Sequence, residues 1–399
     1  MNEERHAFLL AMAEGMARAA LDIAAPWQPD LLSLSIGATG ARRSVRGLGS
    51  TSSPFRQKLS AICGRLGCKP SDLAQVISFE TVGSFSPIKE NPVSGAIGLI
   101  QFMPSTLDKL GTNKERAAQM TAVEQLDLVE KYLAPWKGKL GRLSSLYMAV
   151  LWPRLVAANE NAVVFEQGSI QYAQNAGLDV NKDGRVVVSE AVARVKATRN
   201  ASPRVLLFGD SIAEGLEPGL RRAATADGAE VMIGVHERGT VVKQWAHRAK
   251  ETATIAAPSV VVVALGSNDT HQPHAEDVAA IISAADEWGA DSVWLGPFKQ
   301  GAASEALSGL VWQAGGVLMD GPATLKEAGA KLSADGVHLD PTNYARVADA
   351  IWTNLGGSPT STKADKPPTP QPTPKTRKSH APLLVGLAIT AAPFFTRRK

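Results

Sequence analysis

The chain has 399 residues, with 42 basic and 38 acidic side chains and a formal net charge of +4. Hydrophobic residues make up 44% and charged residues 20%, a globular composition, and at roughly 100–200 residues per domain the length suggests two or three domains. Two cysteines exclude a disulfide-built scaffold, and the lack of an uninterrupted apolar run of spanning length excludes a polytopic membrane protein.

A sequence pI near 9.0 would point to nucleic acid if the charge were spread over the fold. It is not spread. Residues 358–399 hold eight basic side chains and one acidic one, a charge of +7, which leaves 34 basic and 37 acidic groups, or −3, for residues 1–357. A slightly acidic body has nothing to neutralise phosphates, so no nucleic-acid partner is expected.

In chain order, residues 1–52 read as an N-terminal helix and linker. Phe8, Leu9, Met12, Met16, Ala20 and Ile23 recur at helical spacing, and a Gly/Ser/Arg-rich stretch follows from residue 31. The acidic start without an apolar h-region does not read as a secretory signal peptide. Residues 53–198 form a mostly helical block. From residue 202 to 357 the pattern changes: short β-branched or apolar runs at 205–208, 231–235, 260–265, 293–295 and 317–319 alternate with helix-like stretches. That alternation predicts a parallel sheet covered on both faces. Residues 358–380 are a Pro-rich basic linker, and 381–399 a short apolar tail with a basic end. The tail is short for a spanning helix, and its flanking charge suits a membrane surface or a partner such as a virion protein.

Three constellations carry chemistry. In the helical block, Glu80 ends the apolar run Leu73-Ala74-Gln75-Val76-Ile77-Ser78-Phe79, and Gly98-Leu99-Ile100-Gln101-Phe102-Met103-Pro104-Ser105-Thr106 follows. Apolar flanks raise a carboxyl's pKa, which suits a general acid. The pair of segments resembles the lysozyme-like lytic transglycosylases over about residues 57–155. The resemblance implies that Glu80 protonates the glycosidic oxygen between N-acetylmuramic acid and N-acetylglucosamine, while Gln101, Phe102 and Tyr147 line the glycan cleft. Most glycosidases use two carboxylates. No second one stands out here, although Glu90 and Asp108 are near in sequence, so a 1,6-anhydro and a reducing-end product both stay open.

Next, Asp179-Val180-Asn181-Lys182-Asp183-Gly184-Arg185-Val186-Val187-Val188-Ser189-Glu190 fits a twelve-residue EF-hand loop. Asp179, Asn181, Asp183, the Arg185 carbonyl and Glu190 would offer oxygen to a calcium ion, with Gly184 at the turn. A single such loop is expected to brace a fold, and no organic cofactor is expected. Similar loops occur beside the lysozyme-like domains of phage peptidoglycan hydrolases.

The third constellation is Phe208-Gly209-Asp210-Ser211, Gly266-Ser267-Asn268-Asp269 and Asp335-Gly336-Val337-His338. A serine at a strand–helix turn, a histidine base and an aspartate that orients it are the parts of nucleophilic acyl transfer. The three segments resemble blocks I, III and V of the SGNH (GDSL-like) hydrolases over about residues 203–355. The resemblance implies a nucleophile at Ser211, a base at His338, an orienting Asp335, and an oxyanion hole from the Ser211 N–H, the Asn268 side chain and a glycine. Gly239 is the choice for that glycine, with Gly234 the alternative. His236, His247, His271 and His274 lack partner spacing and read as surface residues. Cys63 and Cys68 read either as a short disulfide or as two small packing residues.

The fold class expected is therefore multidomain: a mostly α lysozyme-like domain including the calcium loop, then a three-layer α/β SGNH domain of flavodoxin-like type with a parallel sheet. The expected function is peptidoglycan degradation by glycan cleavage and ester hydrolysis, in a phage virion or at the cell envelope or periplasm. A non-catalytic wall-binding or virion structural protein, and an esterase acting on capsule, are the rivals.

Overall fold

A computed structural model describes residues 43–92, 94–299 and 302–357. The expected N-terminal helix, the Pro-rich linker and the apolar tail lie outside the described residues, apart from the last residues of the first segment. Among the described residues, no helix is long and apolar enough to cross a membrane.

The first block is built of helices whose ends are written in the sequence. Helix α1, Ser53–Leu66, starts where the Ser52 hydroxyl accepts the Phe55 N–H, and stops at Gly67, which takes the left-handed conformation. Helix α2, Pro70–Glu80, starts at a proline and ends in Glu80. Short helices α3 (Pro104–Lys109) and α4 (Lys114–Gln119) precede α5, Ala122–Leu133, which opens with a Thr121/Glu124 capping box. Helix α6, Leu143–Leu151, is almost wholly buried. Strands β1 (Val163–Glu166) and β2 (Arg185–Val187) then pair antiparallel, with α7 (Ile170–Asn175) between them and α8 (Val188–Lys196) after. Neither strand was expected, because runs this short give no readable pattern in a block that is otherwise helical.

The second block alternates as expected: β3 Arg204–Gly209, α9 Ser211–Ala226, β4 Val231–His236, α10 Val242–Ala256, β5 Val260–Ala264, α11 Ala275–Asp286, β6 Asp291–Leu295, α12 Ala302–Gln313, β7 Leu318–Met319, α13 Gly321–Glu327 and α14 Pro341–Asn354. The strands lie in the order β4-β3-β5-β6-β7 and all pairs are parallel. The pleat divides the side chains between two layers. Leu206, Phe208, Val261 and Val263 pack with α10, α11 and α12, whereas Val205, Leu207, Val260 and Val262 pack with α9 and α14. This is the expected three-layer α/β body.

The two blocks do not keep separate cores. One hydrophobic cluster runs from Phe55, Leu59, Ile62, Val76 and Ile77 of the helical block into Trp245, Ile281, Phe208 and Val263 of the α/β body. The polar ties fall at one edge of the sheet. In a parallel α/β body the covering helices end where the next strand begins, and their last carbonyls lack helical partners. Here the helical block supplies donors for those carbonyls. Arg56 on α1 donates to Ile255 O (2.9 Å), Ser71 N–H to Glu287 O (3.2 Å), and Arg199 to Gly289 O (2.6 Å). Arg204, at the start of β3, donates twice to Ala256 O (3.1 and 2.9 Å) and pairs with Glu230 (2.9 Å). The helical block therefore grips the sheet at the N-terminal ends of its strands.

This joint predicts cooperative unfolding. Arg56→Ala should destabilise by about 2–4 kcal/mol, since it removes a buried side chain and the donor to Ile255 O and Thr51 O. Denaturation followed by tryptophan fluorescence and by far-UV circular dichroism should give coincident transitions, both shifted. Separate transitions would show two independent units.

Candidate active sites

The serine site is built at the opposite, C-terminal edge. β3 and its neighbour β5 flank the point where strand order reverses, and open α/β sheets bind ligands there. β3 ends at Gly209, where a Cβ would lie 2.0 Å from Ala264 O, so only glycine allows the chain to pass β5 this closely. Asp210 then caps α9, its Oδ1 accepting the Ile212 N–H at 2.8 Å. Ser211 is the first helical residue, with its backbone N–H at the positive end of α9.

His338 reaches Ser211 from the loop before α14. Its Nε2 lies 2.8 Å from Ser211 Oγ, and its Nδ1 lies 2.7 Å from Asp335 Oδ2. Asp335 Oδ1 accepts the Val337 and His338 N–H groups, both at 2.9 Å. These backbone donors, and then the imidazole, hold the Asp335 carboxyl down at about 2. An ionised Asp335 fixes the proton on Nδ1 and leaves Nε2 to accept the serine proton.

Gly239 stands in a turn after β4 with φ +74°, open space where a Cβ would be, and no partner for its N–H within the described chain. Gly234 is paired inside β4 opposite Leu207, against Glu217, and does not reach the strand end. Two ties bring the Gly239 turn to the nucleophile. Arg238 makes a two-pronged pair with Glu214, one turn along α9 from Ser211 (2.5 and 2.9 Å). Asn268 Nδ2 donates to Asp210 Oδ2 (2.9 Å) and to Thr240 O (3.1 Å). Both amide hydrogens of Asn268 are thus engaged, which differs from the expected free oxyanion donor. Asn268 must release Thr240 O to turn one hydrogen toward an oxyanion. Its neighbour Asp269 accepts the Val242 N–H at the start of α10.

Sequence reasoning missed Asp210 and Thr240. Asp210 has no exposed surface, and burial pushes its carboxyl up to about 6 against the pull of the Ile212 N–H and His338. The signal was present in its place between Gly209 and Ser211, but its partner Asn268 is far along the chain.

Glu80 sits in the other block. It is half-buried, and desolvation pushes its carboxyl up to about 8. The hydroxyls of Tyr132 and Tyr147 are raised by burial and then by the Glu80 charge. Val82, Phe85 and Gln101 all have positive φ (56°, 51° and 53°). For a β-branched valine, 63% exposed, this is costly, and such strain gathers at functional sites. Gln101 is partly exposed and its amide donates to Lys89 O and Gly98 O (2.9 and 3.1 Å). Phe102 and Tyr147 are only 2% and 1% exposed. Their rings pack on Tyr132 and Phe79 and offer no surface to a glycan, contrary to the contacts expected of them.

In the loop 179–190, Asp179 accepts from Lys182 N–H, Gly184 N–H and the Tyr172 hydroxyl, and Asn181 accepts from Asp183 N–H. Asp183 accepts from the Arg185 N–H, and Glu190 from the Val180, Asn181 and Val187 N–H groups. Arg185 begins β2, and α8 starts at Val188, so the loop runs into a helix carrying Glu190. The oxygens suit a hard cation in kind. Among the described residues no three acidic, histidine or cysteine side chains are grouped to hold a metal, since the carboxylates face the loop's own N–H groups.

The helical block that carries Glu80 is fastened where β3 starts, and Ser211 stands where β3 ends. The turn after Glu80 packs against residue 47, where a Cβ on Gly47 would meet Gly83 O, and Gly49 lies against the Arg204–Glu230 pair. Ser211 follows the far end of β3, roughly 17 Å away along the strand at about 3.3 Å per residue.

A family model described as "Protein of unknown function (DUF459)" matches residues 204–297, which contain Ser211, Gly239 and Asn268 but neither Asp335 nor His338. No curated protein matches the chain. Among solved structures, the psychrotrophic esterase EstA from Pseudoalteromonas sp. is similar at 15% identity, over 38% of this chain and 97% of that one, with a TM-score of 0.33. The lipase/acylhydrolase from Enterococcus faecalis is similar at 18% identity, over 39% and 97%, with a TM-score of 0.33. A family 3 carbohydrate esterase from Clostridium thermocellum is similar at 18%, over 38% and 94%, with a TM-score of 0.32.

Two predictions follow from this geometry. Asp210→Asn keeps the shape but removes the acceptor that holds Asn268. On p-nitrophenyl acetate, kcat should fall roughly ten- to hundredfold with KM little changed. An unchanged kcat would mean that Asn268 is placed without Asp210. For Glu80, a carboxyl raised from 4.5 to about 8 favours the folded state below 4.5, and that advantage is lost as pH rises through 8. Glu80→Gln cannot ionise. Relative to the parent it should gain stability as pH rises from 4.5 to 8, on the order of 3 kcal/mol after discounting for partial exposure. Urea midpoints at pH 4.5 and pH 9 measure this, and equal differences at both would place Glu80 in ordinary solvent.

Proposed function

We propose that the α/β body is a serine esterase of the SGNH type. The observation that carries this reading is the continuous Ser211–His338–Asp335 relay at the C-terminal edge of the sheet. Ser211 Oγ attacks the acyl carbon and its proton passes to His338 Nε2. The oxyanion meets the Ser211 and Gly239 N–H groups, joined by Asn268 once it turns from Thr240 O. His338 returns the proton to the leaving alcohol. Water, deprotonated by the same imidazole, then frees the acid and restores Ser211. Asp335 stays ionised throughout.

The substrate class proposed is an O-acetyl ester on a cell-wall glycan, with the helical block cleaving the same polymer through Glu80. The raised Glu80 carboxyl and the strained backbone around it support a general acid in that block. O-acetyl groups obstruct lysozyme-like clefts, so the two activities serve one substrate. Peptidoglycan is then the partner, the cell envelope, periplasm or a phage virion the setting, and the basic tail a tether to membrane or virion. A calcium ion held by Asp179, Asn181, Asp183, the Arg185 carbonyl and Glu190 would brace the junction before α8.

Mass spectrometry of sacculi digested by the protein tests both activities. Ser211→Ala should lower acetate release by roughly a thousandfold or more while glycan cleavage of de-O-acetylated sacculi persists, and Glu80→Gln should do the reverse. Acetate release undiminished in Ser211→Ala would refute the esterase site. Cleavage undiminished in Glu80→Gln would remove that carboxyl from the chemistry.

A further inference from the structure

The C-terminal cap of α1 holds a pair of thiols that neither catalytic reading uses. Gly67 is left-handed (φ 78°) and its N–H donates to Cys63 O at 2.8 Å, while the Cys68 N–H donates to the same carbonyl at 3.1 Å. In such a cap the residue three places before the helix end and the second residue beyond it are folded together, and their side chains ordinarily make an apolar contact. Here those two residues are Cys63 and Cys68. The cap thus folds the two residues onto one carbonyl, and both are free thiols in this structure.

We propose that Cys63 and Cys68 are a disulfide-forming pair that clamps the end of α1 when the protein meets an oxidised thiol. The two sulfurs differ in access, and this sets the order of events. Cys63 is wholly buried, and Cys68 is partly exposed. Burial, the Cys68 side chain and the nearby Asp72 and Glu287 carboxylates hold the Cys63 thiol well above its ordinary value, so it is a poor first nucleophile. Cys68, as thiolate, attacks a small-molecule disulfide RSSR, forming Cys68–S–SR and releasing RS⁻. Cys63 then loses its proton and attacks the Cys68 sulfur, forming the Cys63–Cys68 bond and releasing the second RS⁻. The cysteines lose two hydrogens and two electrons in total, and RSSR is reduced to two RSH.

The clamp lies where it affects the whole body. Leu66 O, beside the cap, accepts the Gly138 N–H at 3.0 Å, Arg65 pairs with Glu130 on α5, and Arg56 of the same helix holds α10. A bond at the cap would stiffen α1 against both neighbours. It would form outside a reducing cytosol and leave the protein more resistant after release.

The test uses the full chain incubated with oxidised glutathione, and again with dithiothreitol. Intact mass after alkylation under denaturing conditions should show both cysteines blocked by loss of two hydrogens, with no glutathione retained. The thermal midpoint should rise by a few degrees over the reduced form. Cys63→Ala should stop at a glutathione adduct on Cys68, and Cys68→Ser should leave Cys63 reduced and alkylated only after unfolding. Two alkylatable thiols in the oxidised parent, a stable glutathione adduct on its Cys68, or an unchanged midpoint would each overturn the proposal.

Discussion

The serine site depends on one side chain that does no chemistry in the resting structure. The Asn268 amide, on the loop after β5, joins Asp210 on the loop after β3 to Thr240 on the loop after β4. Those three loops belong to three adjacent strands, and nothing in a parallel sheet by itself fixes their tips relative to one another. Asn268 does so with two hydrogen bonds, one to a charged acceptor that has no exposed surface. A hydrogen bond to an ion in such surroundings is worth more than a neutral one, and leaving that ion without its partner costs more still. The position of Gly239 beside Ser211 follows, reinforced from outside by the Arg238–Glu214 pair. In the proposed esterase the donor that holds the site together would also serve the oxyanion, and the move from Thr240 O to substrate would be local, with Asp210 as the pivot.

The Glu80 region is organised by a different constraint. No charged partner accounts for its raised carboxyl; the cause is desolvation alone. Keeping a carboxyl neutral near pH 7 in this way requires that the backbone after it close over the helix end. The chain does so through non-glycine residues in left-handed conformations at Val82 and Phe85, while Thr81 ties the turn by donating to Ile77 O and accepting the Phe85 N–H. The cost of that conformation is carried by the packing of Phe85 on Phe55 and by segment 46–49 against Gly83. Phe102 and Tyr147 are buried rings of the same block, packed edge-on against Tyr132 and Phe79.

What was legible in the sequence was what is local. The central strands could be read because fully buried parallel strands are unbroken apolar runs, as in Val260–Ala264. The Asp335 to His338 spacing could be read because both side chains sit in one turn and meet through that turn's own backbone. The joint between the blocks could not be read. Arg56 and Arg199 find backbone carbonyls at residues 255 and 289, and a carbonyl has no letter in the sequence. The same holds for the burial of Phe102 and Tyr147, since an aromatic residue reads alike whether it lines a cleft or fills a core. Asn268 was legible as a site residue, but its second partner is the Thr240 carbonyl, again invisible.

The joint also limits how two activities would cooperate. It fastens the helical block to the edge where the strands begin, whereas Ser211 stands where they end. In the proposed two-activity enzyme, a glycan at Ser211 would stand across the depth of the sheet from the edge that the Glu80 block holds, and a group released at one centre would have to leave the surface to reach the other. The gain from joining them is local concentration on a shared polymer. Because the joint is a continuous core closed by the buried Arg56, the spacing is fixed, and it cannot shorten as it would across a flexible linker. In the enzyme proposed above, two centres at a fixed spacing would suit a mesh better than a single strand, since each could engage a different neighbouring strand.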